Sequence, residues 1–346
     1  MDSNTKFSIN MKVIGITVGN GVMVYPFKEH LIGNVETRTD YQTPNDIQWV
    51  LNFGKIPLYK VKPKLKKFRG ADIIISHPTC GHSSMLAYSR GKKLGDGKAD
   101  ETVQLFIKSV KVIKPQCFLF ENLTTLFKSF PENEFDREFK HYHLIKWNVS
   151  MADFGNSQVT RERLVIVGIR KYGTNLKIGD FRLNAPQRST LKRVYQLEKG
   201  LEKENRHLCH MREADDKVVC MEKDFKKLNL KQIRAIWNSP EYKNRKKWDA
   251  RTTGKGNMMN LPGVYRNLAN DFPLTARKQN RQFNSKGYIM SPRELARIQG
   301  IPDSFRLWFD LDRDQYSINK ARVTATKCPP FEVGQWFYNC IIKTQI

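Results

Sequence analysis

The first third of the chain alternates short apolar runs with stretches of helical periodicity. Met11 to Val18 reads as a strand, Gly19 to Gly21 as a tight turn, Leu31 to Val35 as a second strand and Ile47 to Phe53 as a helix. The run that begins at Ala71 contains the β-branched Ile73, Ile74 and Ile75 and stops at the turn-forming Pro78. It predicts a buried strand that delivers the thiol of Cys80 to a loop. Glu101 to Ile113 places apolar residues at 103, 105, 106, 110 and 113, close to a helical stripe, and ends before Pro115. A further apolar strand, Cys117 to Phe120, runs into Glu121, Asn122 and Leu123. Strand, helix and strand in that order predict a parallel pair. Cys80 and Glu121 would then reach the same sheet edge and face one pocket, where α/β enzymes place their nucleophiles. His143 to Val149 and Leu164 to Ile169 predict an antiparallel pair around a polar turn at Phe154 to Gln158.

Composition narrows the class. With 346 residues the chain exceeds the usual size of one domain, so two are expected. Sixty Lys and Arg against 34 Asp and Glu give a net charge of +26, which attracts a polyanion, nucleic acid or an anionic membrane. No apolar run approaches the ~20 residues of a spanning helix and the first residues lack a secretory pattern, so a soluble, cytoplasmic protein is expected. The excess is uneven: residues 185–286 hold 24 Lys and Arg against 11 Asp and Glu, half of the net charge, with Trp237, Tyr242, Trp248 and Tyr265 interleaved. That mixture suits a nucleic-acid-binding insertion. Lys55 to Arg69 carries seven basic residues and no acid, either a solvated connector or a phosphate-facing edge. The six cysteines, Cys80, Cys117, Cys209, Cys220, Cys328 and Cys340, are dispersed, and reduced thiols are expected. His207, Cys209, His210 and Cys220 are residue types that bind zinc, but their spacing matches no common structural site, so they read as ordinary residues and no metal is expected.

Four short motifs then point one way. Pro78, Thr79 and Cys80; Glu121, Asn122 and Leu123; Arg161, Glu162 and Arg163; and the block from Ser291 to Phe305 occur in the order and approximate spacing of cytosine-C5 DNA methyltransferases, and the chain resembles a divergent member of that family. The last block is the most specific, since fifteen consecutive residues look like the family's ninth motif. The resemblance covers about residues 11–183 and 270–342 and leaves the basic middle segment where the family has its target-recognition domain.

The resemblance implies a fold and a chemistry. The fold is an α/β, Rossmann-like mixed sheet with helices on both faces, formed by residues 1–184 and 271–346, plus a small irregular recognition domain at 185–270. Carbon 5 of cytosine is a poor nucleophile, so the family adds a thiolate to C6, and the resulting enamine takes a methyl group from S-adenosylmethionine. Cys80 matches that thiolate, Glu121 the acid at N3, and Arg161 and Arg163 the paired arginines of the eighth motif. The target base must be flipped out of double-stranded DNA. Glycines between residues 81 and 100 suit a loop that closes over it. For substrate contacts the resemblance points to Ser84, Asn122 and Thr275; for the donor, to Gly19, Gly21, Glu36, Asp72, Pro78 and Gln335.

The donor side departs from the family pattern. Thr17 stands near an aromatic position, Val22 replaces a glycine, Gln335 follows Gly334 where an Asn is usual, and Gln158 is one residue further from Arg161 than the family's glutamine. Four readings are therefore open: a monomeric DNA (cytosine-5-)-methyltransferase of bacterial or phage-infected cells in a restriction-modification setting, a transferase using a modified donor or base, a tRNA cytosine methyltransferase, and an inactive DNA-binding relative. The persistence of Cys80, Glu121 and both arginines favours the first.

Overall fold

The computed structural model describes residues 11–37, 44–60, 64–79, 100–154, 161–174, 176, 181, 292–306, 325–326 and 328–344. The apolar runs of the first half become strands β1 (Val13–Ile16), β2 (Leu31–Val35), β3 (Leu58–Tyr59), β4 (Ile73–Ser76) and β5 (Cys117–Asn122). β1, β4 and β5 are buried throughout, as continuous apolar runs in a parallel sheet should be. β6 (Tyr142–Ser150) and β7 (Glu162–Arg170) complete the sheet. The order is β3-β2-β1-β4-β5-β7-β6.

β3, β2, β1, β4 and β5 pair in parallel, and β7 lies antiparallel to β5. The Met151 N–H donates to the Arg161 carbonyl at one end of the β6–β7 pair and the Lys171 N–H to the His141 carbonyl at the other, so that pair is antiparallel, as its sequence predicts. Chain order runs outward from β1 in one direction and from β4 in the other. The sheet therefore has its topological switch point between β1 and β4, the place where such folds open a crevice beyond the carboxyl ends of their strands.

Helices α1 (Pro44–Phe53) and α2 (Glu101–Ile113) fall on the expected segments. Asp100 caps α2, accepting from the N–H groups of Thr102 and Val103, which satisfies donors that a helix start leaves open. The buried face of α2, Val103, Phe106, Ile107, Val110 and Ile113, packs on Ile14, Ile74, Phe118 and Phe120 of the sheet. Phe106 meets Phe118 edge-on at 5.3 Å between ring centres, and Phe139 and Tyr142 close the cluster. Each such ring, fully buried, contributes about 1.5–3 kcal/mol. Short helices α3 (Leu126–Ser129) and α4 (Glu132–Glu138) follow β5.

The chain divides into two compact units: Met1–Val149, Glu162–Pro186 and Phe331–Ile346 form the first, Ser150–Arg161 and Gln187–Pro330 the second. In the second, α5 (Pro292–Ile298) lies in the fifteen-residue block singled out from the sequence. That block folds on itself: Arg293 donates to the Phe305 carbonyl at 3.0 Å, and Arg297 grips Asp303 through two bonds of 2.9 and 2.6 Å. The Arg297 bonds are the first cause holding the Asp303 carboxyl below its ordinary range.

The terminal helix α6 (Phe331–Thr344) returns to the first unit. It packs against the 3-10 segment Val22–His30 that follows β1, with Phe27 edge-on to Tyr338 at 5.0 Å. Gly334 makes this approach feasible. A Cβ there would lie 2.0 Å from the Met23 carbonyl oxygen, backbone that cannot give way. Among the described residues no helix is long and apolar enough to cross a membrane, and no cluster of His, Cys, Asp and Glu could hold a metal ion. The His207, Cys209, His210 and Cys220 segment lies outside the described residues, as do residues 185–270.

Candidate active site

The carboxyl ends of β1, β4, β5 and the start of β7 bring together most of the site residues that the structure describes. Register does this work. Ile16 pairs with Ser76, and Ser76 with Phe120, so His77 continues β4 alongside Glu121. On the other side Glu121 pairs with Val165 and Asn122 with Leu164, which places Arg163 next in line.

Glu121 is wholly buried. Its Oε1 lies 2.9 Å from Arg163 Nε, and its Oε2 is bonded to His77 Nδ1. Arg163 also donates to the Glu162 carbonyl at 2.6 Å, which fixes the guanidinium. A buried ion pair is weak ground for stability, because desolvating both charges offsets their attraction. A carboxylate so placed is better read as chemistry retained at a cost.

The loop that leads to Cys80 is anchored from two sides. Asn122 Nδ2 donates to the Pro78 carbonyl at 3.3 Å, while Asn122 Oδ1 accepts from the Leu123 N–H at 2.8 Å. Asn122, expected to touch substrate, links β5 to the loop that runs into Cys80. The Thr79 N–H donates to Thr102 Oγ1 at 2.9 Å, and Thr102 is itself bonded to the helix cap Asp100. Pro78 is buried and Thr79 exposed. Cys80, Ser84, Gln158 and Thr275 lie outside the described residues.

At the end of β1 the chain turns through left-handed conformations at Thr17 (φ 55°), Gly19 (φ 60°) and Gly21 (φ 85°). A β-branched residue in this region is strained by about 1–3 kcal/mol. Thr17 is held there by its N–H on the Val35 carbonyl at 2.8 Å and by its hydroxyl, 2.6 Å from the Ile16 carbonyl and 3.3 Å from Ser76 Oγ. The hydroxyl pair bridges β1 and β4 at the switch point. At Gly21 a Cβ would lie 2.3 Å from the Phe53 ring, which stacks on Trp49. Glu36, just past β2, accepts from the Gly19 N–H at 2.9 Å and from Asn34 Nδ2 at 2.8 Å. Glu36 and the turn are therefore one assembly.

Three expected residues lie elsewhere or do something else. Asp72 stands at the amino end of β4, across the sheet from Glu121; its carboxylate accepts from the Lys12 N–H at 2.9 Å and from Gln116 Nε2 at 2.8 Å. The structure does not bring it to the turn after β1, because four strand residues separate it from the carboxyl edge. Arg161 is buried and donates to the Cys328 carbonyl at 2.7 Å within the second unit, while Arg163 stands at Glu121. Gln335 lies on α6 after Gly334 and donates to Asn339 at 3.1 Å.

Sequence reasoning passed over His77, Ser76 as the partner of Thr17, and Asp100 with Thr102. His77 had a signal: it precedes Pro78 at the end of the same strand that presents Cys80.

With this geometry in place, comparison with known proteins adds the family. A family model described as C-5 cytosine-specific DNA methylase matches residues 38–318, most of the chain. The chain belongs to this family. Its enzyme class is that of cytosine-C5 DNA methyltransferases. As a C-5 cytosine-specific DNA methylase it is 26% identical over 314 residues to the Type II methyltransferase M.DsaV of Dactylococcopsis salina, covering 85% of this chain and 77% of that protein. Its fold is similar to the S. pombe Dnmt2 methyltransferase, at 12% identity and a TM-score of 0.54, covering 97% of this chain and 99% of that one. The Entamoeba histolytica methyltransferase EhMeth is similar to the same degree, with 12% identity, a TM-score of 0.54 and coverage of 97% and 99%. At these identities the likeness is one of fold, the α/β methyltransferase sheet. S-adenosylmethionine is in general the methyl donor of this C-5 cytosine-specific DNA methylase family.

Proposed function

We propose that the protein flips a cytosine out of double-stranded DNA and methylates it at C5, with Cys80 as the nucleophile on C6. The single observation that carries this reading is the buried carboxylate of Glu121 between His77 and Arg163, beside the loop that runs into Cys80. Such a carboxyl group can hydrogen-bond N3 of a cytosine and offset the charge that develops there.

The chain's groups divide the work. The Cys80 sulfur forms a bond to C6, the C5=C6 electron pair becomes C4=C5, and the C4=N3 pair moves to N3, which takes a proton from Glu121. Arg163 orients Glu121 and Asn122 holds the nucleophile loop on β5. Ser84 and Thr275 contact the substrate. Arg161, the first arginine of its motif, is assigned to the same reaction.

The residues at the carboxyl edge suit a nucleoside-based donor. The left-handed turn after β1 and Glu36, which accepts from the Gly19 N–H, stand together beside the switch point, and an acidic side chain beyond the second strand suits ribose hydroxyls. Gly19, Gly21, Glu36, Pro78 and Gln335 would hold S-adenosylmethionine, which supplies the methyl group as an electrophile. Residues 185–270 would form the recognition domain, reading base edges in the major groove. The protein would act as a monomer in the cytoplasm.

The test combines product and adduct. Incubation with S-adenosylmethionine and duplex DNA should yield 5-methylcytosine, and a 5-fluorocytosine duplex should trap a covalent complex that Cys80→Ser abolishes. Methylation of tRNA instead of duplex DNA, transfer of a different group, or DNA binding with no adduct would each overturn the reading.

A further inference from the structure

We propose that His77 is the proton partner of Glu121 and that the two side chains share one proton, which Glu121 lends to N3 of the target base. The inference rests on the reading of the site given above. It starts from a problem of charge. Arg163 keeps its positive charge at every relevant pH and stands 2.9 Å from Glu121 Oε1, so arginine alone holds the carboxyl group ionised. An ionised carboxylate has no proton to give to N3.

His77 changes the count. Its Nδ1 is bonded to Glu121 Oε2, on the side of the carboxylate away from Arg163. Histidine is the side chain whose proton comes and goes near neutral pH, and two titratable groups in direct contact titrate as a pair. The imidazole–carboxylate pair can hold one proton where the carboxylate beside Arg163 would hold none. Two charged or titratable groups on Glu121 are His77 from the end of β4 and Arg163 from β7; Ser76 and Asn122 beside them are neutral.

Burial gives the pair a direction. The Glu121 side chain is 0% exposed and that of His77 20%. The imidazole, the more exposed of the two, can take a proton from solvent and replace one lost from the pair. During reaction the proton moves from Glu121 to N3 as the sulfur–C6 bond forms. It returns to Glu121 when C5 gives up its own proton to solvent and the sulfur–C6 bond breaks. Proton count is conserved on the pair over one cycle. His77 acts through Glu121 and does not touch the reacting atoms, so it is a positioning residue with a titration attached.

A pH profile separates this role from packing. His77→Asn keeps a hydrogen-bond donor near the Nδ1 position without a titrating group, and His77→Ala removes both. Single-turnover methylation of duplex DNA, measured across pH, should show a wild-type rate that holds through neutrality. Both variants should be slowed about 10- to 100-fold at and above neutral pH, the range of one acid–base contact, and should regain rate as the pH falls. Melting temperature and DNA affinity serve as folding controls. Unchanged rates and profiles, or an equal loss at every pH, would overturn the proposal. Absence of methylation by the wild-type protein would overturn the reading beneath it, and this inference with it.

Discussion

The two ends of the central strands carry the same chemistry in opposite states. At the amino edge stand a thiol, Cys117, and a carboxylate, Asp72; at the carboxyl edge stands a carboxylate, Glu121, and there the strand sequence leads on to Cys80. Asp72 is satisfied by neutral donors, the Lys12 N–H and the Gln116 amide, and links the starts of three strands. Glu121 is held by the Arg163 guanidinium and the His77 imidazole. Burial pushes the Cys117 thiol well above the ordinary thiol range and keeps it protonated and inert. The difference teaches that residue type does not make a site. A parallel sheet gathers loops at its carboxyl ends, and only there can a thiol and an acid face a substrate.

The largest effect should separate the thiols. Cys80→Ser should lower turnover on the order of 10³-fold or more and eliminate the fluorocytosine adduct, while Cys117→Ser should leave adduct formation intact. An adduct surviving on Cys80→Ser would break the comparison. The carboxylates come next: Glu121→Gln should cost roughly 10²- to 10⁴-fold in kcat, and Asp72→Asn should leave kcat within about threefold, since nothing at that edge touches the reaction. Asp72→Ala, by contrast, should lower unfolding free energy by about 1–3 kcal/mol in a urea titration, because it strands the Lys12 N–H and the Gln116 amide.

A smaller effect tests how the carboxyl edge is braced. Asp100→Ala removes the cap of α2 and the support of Thr102 under Thr79, and should cost about 1 kcal/mol of stability. Because the loss falls next to the nucleophile loop, the rate of adduct formation should drop with it; a stability loss with an unchanged adduct rate would detach the helix from the loop. The smallest effect belongs to a carboxylate at neither edge. The Asp303 carboxyl is held low by Arg297, so its contribution is complete above the ordinary Asp value and fades as the pH drops through the lowered folded-state value. Being mostly exposed, the pair should be worth under ~1 kcal/mol, and Asp303→Asn should flatten the acid limb of stability by no more than that.

Much of the fold was legible because it rests on local patterns. The isoleucine run before Pro78, the stripe from Val103 to Ile113 and the apolar run at Cys117 each report burial through composition and period, and a strand, helix, strand series leaves little choice but a parallel pair. The placing of Glu121 at the carboxyl end of β5 was legible for that reason. Asp72 was misleading because it is adjacent in sequence to the strand that presents Cys80 yet sits at that strand's other end. His77 was overlooked because nothing in a sequence says which residue of β5 it stands beside.

The sequence by itself determined which segments would be strands and helices, that one strongly basic segment interrupts them, and the family to which the ordered motifs point. Only the tertiary structure decided which charges meet. Periodicity is a property of neighbours along the chain, whereas the contact of Glu121 with His77 and Arg163 depends on the register of three strands from distant segments. That register is set by the packing of whole strand faces, Phe118 and Phe120 against α2 above all, and a slip of one residue would turn Glu121 to the other side of the sheet.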